Sequence, residues 1–212
     1  MGDDMPHGFR RLMGLGAAIL CLAFGPAPAG AATPDDASAF VGKLVDKAIN
    51  SVIGADMPRD QKAQRFREMF VDSADIPGIC AFVVGREWRA ASPQQKAEFT
   101  NLFEEVSILT WISHLDEYRD VKVEITGAYA DKADLFVESQ AKTKDGKPIP
   151  IVWRLQERGA KGLKLIDVVI EANSMLINTR KQYAAVMQRD GGLPGLMAAL
   201  QKMRTELNTP SP

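Results

Sequence analysis

The chain holds two histidines and two cysteines in 212 residues, so imidazole, thiolate and soft-metal chemistry have few places to occur. His7 and Cys21 lie in an N-terminal segment that reads as a removable export signal, which leaves His114 and Cys80. One Cys and one His cannot build a tetrahedral zinc site within one chain. A Ser-His-Asp or Cys-His arrangement would have to use His114, which stands among Ile112, Ser113 and Leu115 with no motif around it. Cys80, between Ile79 and Ala81, reads as a small core residue and is expected to be buried and unreactive. Asp167 and Glu171 share one face of an expected strand, but four residues at about 3.3 Å each separate them by roughly 13 Å. That exceeds the roughly 5 to 9.5 Å over which carboxylate pairs cooperate. Gly14-Leu15-Gly16 is the nearest thing to a nucleotide loop, and it falls inside the segment to be removed. The residue types therefore argue against an enzyme, and no metal or other cofactor is expected.

The N-terminal segment carries its own address. Residues Met1 to Arg11 end in the pair Arg10-Arg11, and an uncharged apolar run follows from Leu12 to Phe24. The run is shorter than the roughly 20 residues needed to cross a bilayer, and it leads through Pro26 and Pro28 into Ala29-Gly30-Ala31, an A-x-A pattern. A signal peptide over residues 1–31, cleaved after Ala31, is expected, and with it a periplasmic location. Cys21 does not suit a lipoprotein signal because Leu20 precedes it. The twin-arginine and general export routes both remain open to Arg10-Arg11. The remainder keeps a formal charge of −1, with no basic excess to hold nucleic acid. At about 180 residues it forms one domain with a real core. Cys80 has no second cysteine to pair with there, so stability must come from packing.

Thr33-Pro34-Asp35-Asp36 has the form of a capping box, and Phe40, Val41, Leu44, Val45, Ala48, Ile49 and Val52 recur behind it at helical spacing. After a break at residues 54–58, Ala63, Phe66, Met69 and Phe70 mark a second helix. Asp75-Ile76-Pro77 opens a short third one that Gly85 closes. Ser92-Pro93-Gln94-Gln95 caps the longest helix, which the apolar stripe carries to about Tyr118. The period then changes to two. Strands are expected from about Asp120 and at about 134–141, 149–156 and 163–171, with short turns at Asp145-Gly146 and at 159–162 that imply antiparallel neighbours. A helix from Ser174 to Arg189, a stop at Asp190-Gly191-Gly192 and a last helix from Pro194 to about Leu207 follow. Residues 208–212 read as a flexible tail. The fold class is therefore α+β, a four-stranded antiparallel sheet covered by about six helices enclosing a hydrophobic pocket. One face of the sheet avoids charge: Val121, Val123, Ile125, Leu135, Val137, Ile151, Trp153, Leu155, Ile166, Val168 and Ile170. The other carries Lys122, Glu124, Glu138, Arg154, Gln156 and Asp167. No polar residue is expected in the central strands of the apolar face.

Two stretches go beyond pattern. Gly85-Arg86-Glu87-Trp88-Arg89-Ala90-Ala91-Ser92-Pro93-Gln94-Gln95-Lys96, with Phe99, Phe103 and Glu104, resembles the entry to the long helix of the MlaC family of periplasmic phospholipid-binding proteins. Ile166 to Glu171, Ser174-Met175, Arg180 and Gln188 to Leu196 resemble that family's C-terminal stretch. The likeness covers about residues 35–205. It departs at Ala172-Asn173, where the family usually has Gly and an apolar residue. The wording around Trp88 and Trp153 is also similar to the HpnM branch, associated with hopanoid-producing bacteria.

The resemblance implies one lipid-binding domain, residues 32–207, with helices and sheet enclosing a pocket for acyl chains. Its implied partners are a lipid cargo, an inner-membrane ABC transporter of MlaD type and an outer-membrane complex of MlaA type. A monomer is expected. The lining expected is the apolar sheet face together with Leu102, Phe103, Val106, Trp111, Met175, Leu176, Tyr183 and Met187. A phospholipid carrier, a carrier of hopanoids or other polycyclic isoprenoids, a small-molecule isomerase and a ligand-free interaction protein are the readings to separate. The carriers need open apolar space, the enzyme a polar group inside it, and the interaction protein a filled core.

Overall fold

The computed structural model describes residues 31–114, 121–142 and 147–209. The signal peptide over its first 30 residues, the stretch Leu115–Tyr118 of the expected long helix, the Asp145-Gly146 turn and tail residues 210–212 lie outside the described residues. Ala31–Pro212 cluster into one compact unit.

Helix α1, Pro34–Ala48, starts as its sequence dictates: Thr33 Oγ1 accepts from the Asp36 amide at 3.2 Å, and the Asp36 carboxylate accepts from the Thr33 amide at 2.9 Å. It runs directly into a π-helical turn, Ile49–Ile53. Helices α2 (Arg59–Ser73) and α3 (Ile76–Val84) follow, and then α4 (Arg86–Ala90) and α5 (Pro93–Ser113). The short α4 is a seventh helix beyond the six expected. It falls inside the Gly85-to-Pro93 stretch, too short to show a helical period. Helix α5 runs to Ser113, with the exposed His114 as its C-cap.

Strands β1 (Lys122–Asp131), β2 (Asp134–Lys142), β3 (Pro148–Glu157) and β4 (Leu163–Ile170) pair in sequence order, each antiparallel to the last. A fifth strand, β5 (Asn173–Ser174), corrects the expected count of four. It exists because Glu171 and Ala172 both adopt positive φ, 49° and 64°, and fold the chain back onto β4 in two residues. Neither residue is Gly or Asn, so no turn signal marked it. Helices α6 (Met175–Asp190) and α7 (Gly192–Asn208) complete the chain.

Two bulges set which side chains share a face. The register of β1 slips between Ile125 and Gly127, so Val123 and Ile125 are joined on the apolar face by Ala128 and Ala130 rather than by their odd-numbered successors. In β4, Leu165 stands opposite Leu155 and Asp167 opposite Arg154, so Ile166 is the extra residue of a bulge. Leu163 and Leu165 therefore also join the face.

The core falls into three clusters. Ala37, Val41 and Val45 of α1 pack on Leu135, Val137 and Leu155 of the sheet. A second cluster joins α3, α5 and α7 around Phe99, Leu102, Phe103, Val106, Leu196 and Cys80. A third sets Val52 of the π-turn against Ile108 and Ile112 of α5, with Phe66 and Phe70 of α2 alongside.

Candidate ligand site

The expected lining divides between these clusters. Leu135, Val137 and Leu155 are buried under α1, with Val123 and Trp153 packed at the edge. Leu102, Phe103 and Val106, together with Leu176, Tyr183 and Met187, belong to the helical core instead. There Phe99 and Phe103 stack at 6.2 Å, and Tyr183 meets both rings edge-on at 6.2 and 6.5 Å. Trp111 is exposed and lies 6.3 Å from the Phe66 ring, and Met175 is exposed at the start of α6. The structure thus does not gather all the expected residues around one space.

It does bring four of them together. Ile151 pairs across the ladder with Ile170, and Trp153 with Val168, which makes a strip of half-buried apolar side chains on β3 and β4. The helices explain why these four are neither dry nor open. Helix α1 lies over β1 and β2, while α2, α3 and α6 approach β4. Of the inward side chains of β3, Leu155 is buried in the cluster under α1 and Trp153 packs against it. Toward one end the row Leu135–Leu155–Leu165 is closed by α1; toward the other the row Ile125–Ser139–Ile151–Ile170 ends in an exposed Ile125. The apolar face therefore runs from a buried row to one whose edge residue is exposed.

Ser139 corrects the expectation of an entirely apolar face. It is buried in central β2, between Val137 and Ala141. Its hydroxyl accepts from Trp153 Nε1 at 2.8 Å and donates to the Ile151 carbonyl at 3.3 Å. Both capacities are used within the sheet, which holds the Trp153 indole against β2.

The remaining chemical candidates are structural in geometry. Burial pushes the Cys80 thiol up to about 12, with the Glu104 and Asp75 carboxylates adding to the effect. Burial likewise raises the Tyr183 phenol. Asp167 is buried and spends its carboxylate on Ser174 Oγ at 2.5 Å and the Leu176 amide at 2.9 Å, capping α6. Glu171 is exposed in the β4–β5 turn. Among the described residues no group of three or more His, Cys, Asp and Glu is placed to hold a metal.

The two glycine-bearing stretches converge in space. Gly85, at φ 67°, lies beneath Arg180 of α6, whose Nη1 donates to the Phe82 carbonyl at 2.6 Å and whose guanidinium sits 4.8 Å over the Phe82 ring. Trp88 of α4 packs edge-on to Phe99 at 6.0 Å. A Cβ on Gly195 would lie 2.0 Å from the Asp190 carbonyl, so only glycine lets α7 start so close to the end of α6. These stretches build the joints of the helical bundle.

One feature carried no sequence signal. Helices α2, α5 and α7 border an open cleft of about 380 Å³ lined by Ala63, Arg67, Glu105, Ile108, Leu109, Arg204 and Asn208. Arg67 pairs with Glu104, and Arg204 with Glu105 at 3.0 Å. Its lining comes from three helices far apart in the chain, which no local pattern reveals.

Comparison with known proteins agrees with this architecture. A structure of a phospholipid-binding protein from Ralstonia solanacearum, solved in complex with a phospholipid, superposes with a TM-score of 0.72 at 25% identity. The match covers 81% of this chain and 98% of that one. No relative is found among curated protein sequences. The family described as MlaC protein matches over residues 42–202, most of the chain and both glycine-bearing stretches, and the chain belongs to that family.

Proposed function

We propose that the protein is a periplasmic lipid carrier that lays acyl chains against the Ile151–Trp153–Val168–Ile170 strip. The observation that carries this reading is that strip, apolar and only half-buried on the face of the sheet that packs under α1. A diacyl lipid has about thirty methylenes, and exposing them to water costs on the order of 25 kcal/mol at roughly 0.8 each. A carrier must therefore cover the tails. A charged headgroup is costly to bury unpaired and stays at the exposed end, which favours tail recognition with loose headgroup selectivity. Export through the N-terminal signal, loading from an inner-membrane transporter of MlaD type and exchange with an outer-membrane complex of MlaA type complete the proposal. The role is carriage rather than catalysis. Ser139, the polar side chain inside the face, is already engaged on both sides.

The test is organic extraction of protein purified from a bacterial periplasm, followed by mass spectrometry. Phospholipid at near one per chain is the expected result, and a polycyclic isoprenoid in its place would transfer the reading to the hopanoid-associated branch. Repeated recovery of intact protein with no lipid removes the carrier reading.

A further inference from the structure

Helix α6 buries none of its sixteen residues. Leu176, Tyr183, Val186 and Met187 pack half-buried against the helical core, a stripe at helical spacing. Ile177, Arg180, Lys181 and Ala184 follow the spacing i, i+3, i+4 and i+7 and share a different face, which Arg180 sets beside α3. All four are exposed, Ile177 to 47%. On α3 the Phe82 ring is exposed as well. Arg180 joins the two helices. Its bond to the Phe82 carbonyl and its place 4.8 Å over the ring hold a cation beside an exposed aromatic side chain. Arg86, the residue after Gly85, adds a fully extended reach into solvent, its side chain 91% exposed and 3.9 Å from Glu87.

This surface has one sign. Residues 76–86 and 172–189 contain no Asp or Glu, although the whole chain carries a formal charge of −1. The acids that flank the two helices are engaged elsewhere: Asp75 pairs with Arg158 at 2.7 Å, Asp167 caps α6, and Asp190 pairs with Arg189 at 2.7 Å. Glu171 stays exposed in the turn ahead of α6. Apolar side chains set singly among cations suit a fluid interface, where each enters the headgroup boundary by itself and the cations meet phosphates. A protein partner needs a contiguous area instead, on the order of 800 Å² from each side.

We propose that the α3–α6 surface docks this protein on an anionic bilayer, with Phe82 and Ile177 entering the interface and Arg86, Arg180 and Lys181 meeting lipid phosphates. Docking stands apart from the carrier reading, since a surface contact needs no lipid inside the protein.

The experiment is cosedimentation of the purified protein with vesicles of phosphatidylcholine, alone or mixed with phosphatidylglycerol. Binding to the phosphatidylglycerol vesicles is expected, weaker as salt rises, with little binding to phosphatidylcholine alone. Lys181→Gln should weaken it about fivefold, the factor that about 1 kcal/mol for one cation near an anionic surface produces. Ile177→Ser, at an exposed position, should weaken it too. Lys43→Gln, which removes an exposed cation from α1, should bind as the parent does. No binding to anionic vesicles overturns the proposal, as does Lys181→Gln or Ile177→Ser binding as tightly as the parent. An equal loss from Lys43→Gln also overturns it, because the attraction would then be spread over the whole surface. A dimer that forms without vesicles and dissociates in Ile177→Ser would assign the surface to a second copy and overturn it as well. Should Ile177→Ser not fold, Lys181→Gln against Lys43→Gln decides. Lipid recovered per chain is read separately, so either reading can fail while the other stands.

Discussion

Arg180 covers Gly85: a Cβ built on that glycine would lie 3.0 Å from the Arg180 guanidinium. The pair closes the joint between α3, α4 and α6. Gly85→Ala therefore suffers twice, from the clash and from φ 67° with ψ −121°, a region L residues rarely enter. A loss of roughly 1–3 kcal/mol is expected by denaturant titration. Arg180→Ala in the same background should relieve the steric part and leave the backbone part, so the two losses should not add.

The β4–β5 turn should respond in the reverse sense. Ala172 stands at φ 64°, where a Cβ costs about 1 kcal/mol relative to glycine. Ala172→Gly is expected to stabilise the protein by up to about 0.5 kcal/mol, since relief of the left-handed strain outweighs the added freedom of the unfolded chain. A fall in the denaturation midpoint would contradict it.

Val168 and Val169 test the face. Val168 stands opposite Trp153 on the half-buried strip, and Val169 stands opposite Val152 on the other side of the sheet. On the carrier reading Val168→Trp grows into the space the tails occupy, so it should lower the lipid recovered per chain with little change in the melting temperature of the lipid-free protein. Val169→Trp should leave lipid content unchanged. If Val168→Trp yields no folded protein, the strip is solid core.

Alkaline pH offers a test of the helical core. Burial raises the Cys80 thiol from 9.0 to about 12, so between those values the unfolded chain has lost a proton that the folded chain keeps. Stability contributed by this group is fully present below pH 9.0 and falls as the pH rises toward about 12. Denaturation midpoints should decline through that window, and Cys80→Ala should flatten the decline. The raised Tyr183 phenol leaves a residual slope. A bulky thiol reagent should label Cys80 on the unfolding timescale, and rapid labelling of native protein would show the thiol to be open.

Local chemistry determined much of this protein on its own. The capping boxes at Thr33 and Ser92, the stop at Gly85 and the period-two runs of β1 to β4 mark elements whose hydrogen bonds and apolar faces are set within a few residues, and they stand where the sequence places them. The charge-free face of the sheet was legible for the same reason. Tertiary structure alone decided what that face does. Bulges after Ile125 and at Ile166 changed which residues point inward, because a slip in register depends on the partner strand. The turn at Glu171-Ala172 is held in positive φ by β5 pairing with β4, against the preference of both residues. Leu102, Phe103, Tyr183 and Met187 have the same apolar character as Ile151 and Val168. Hydrophobicity sends a side chain out of water without saying whether protein or open space will receive it. That choice falls to the packing of helices distant in the chain, which filled the space around Phe99 and left the strip on β3 and β4 half-covered.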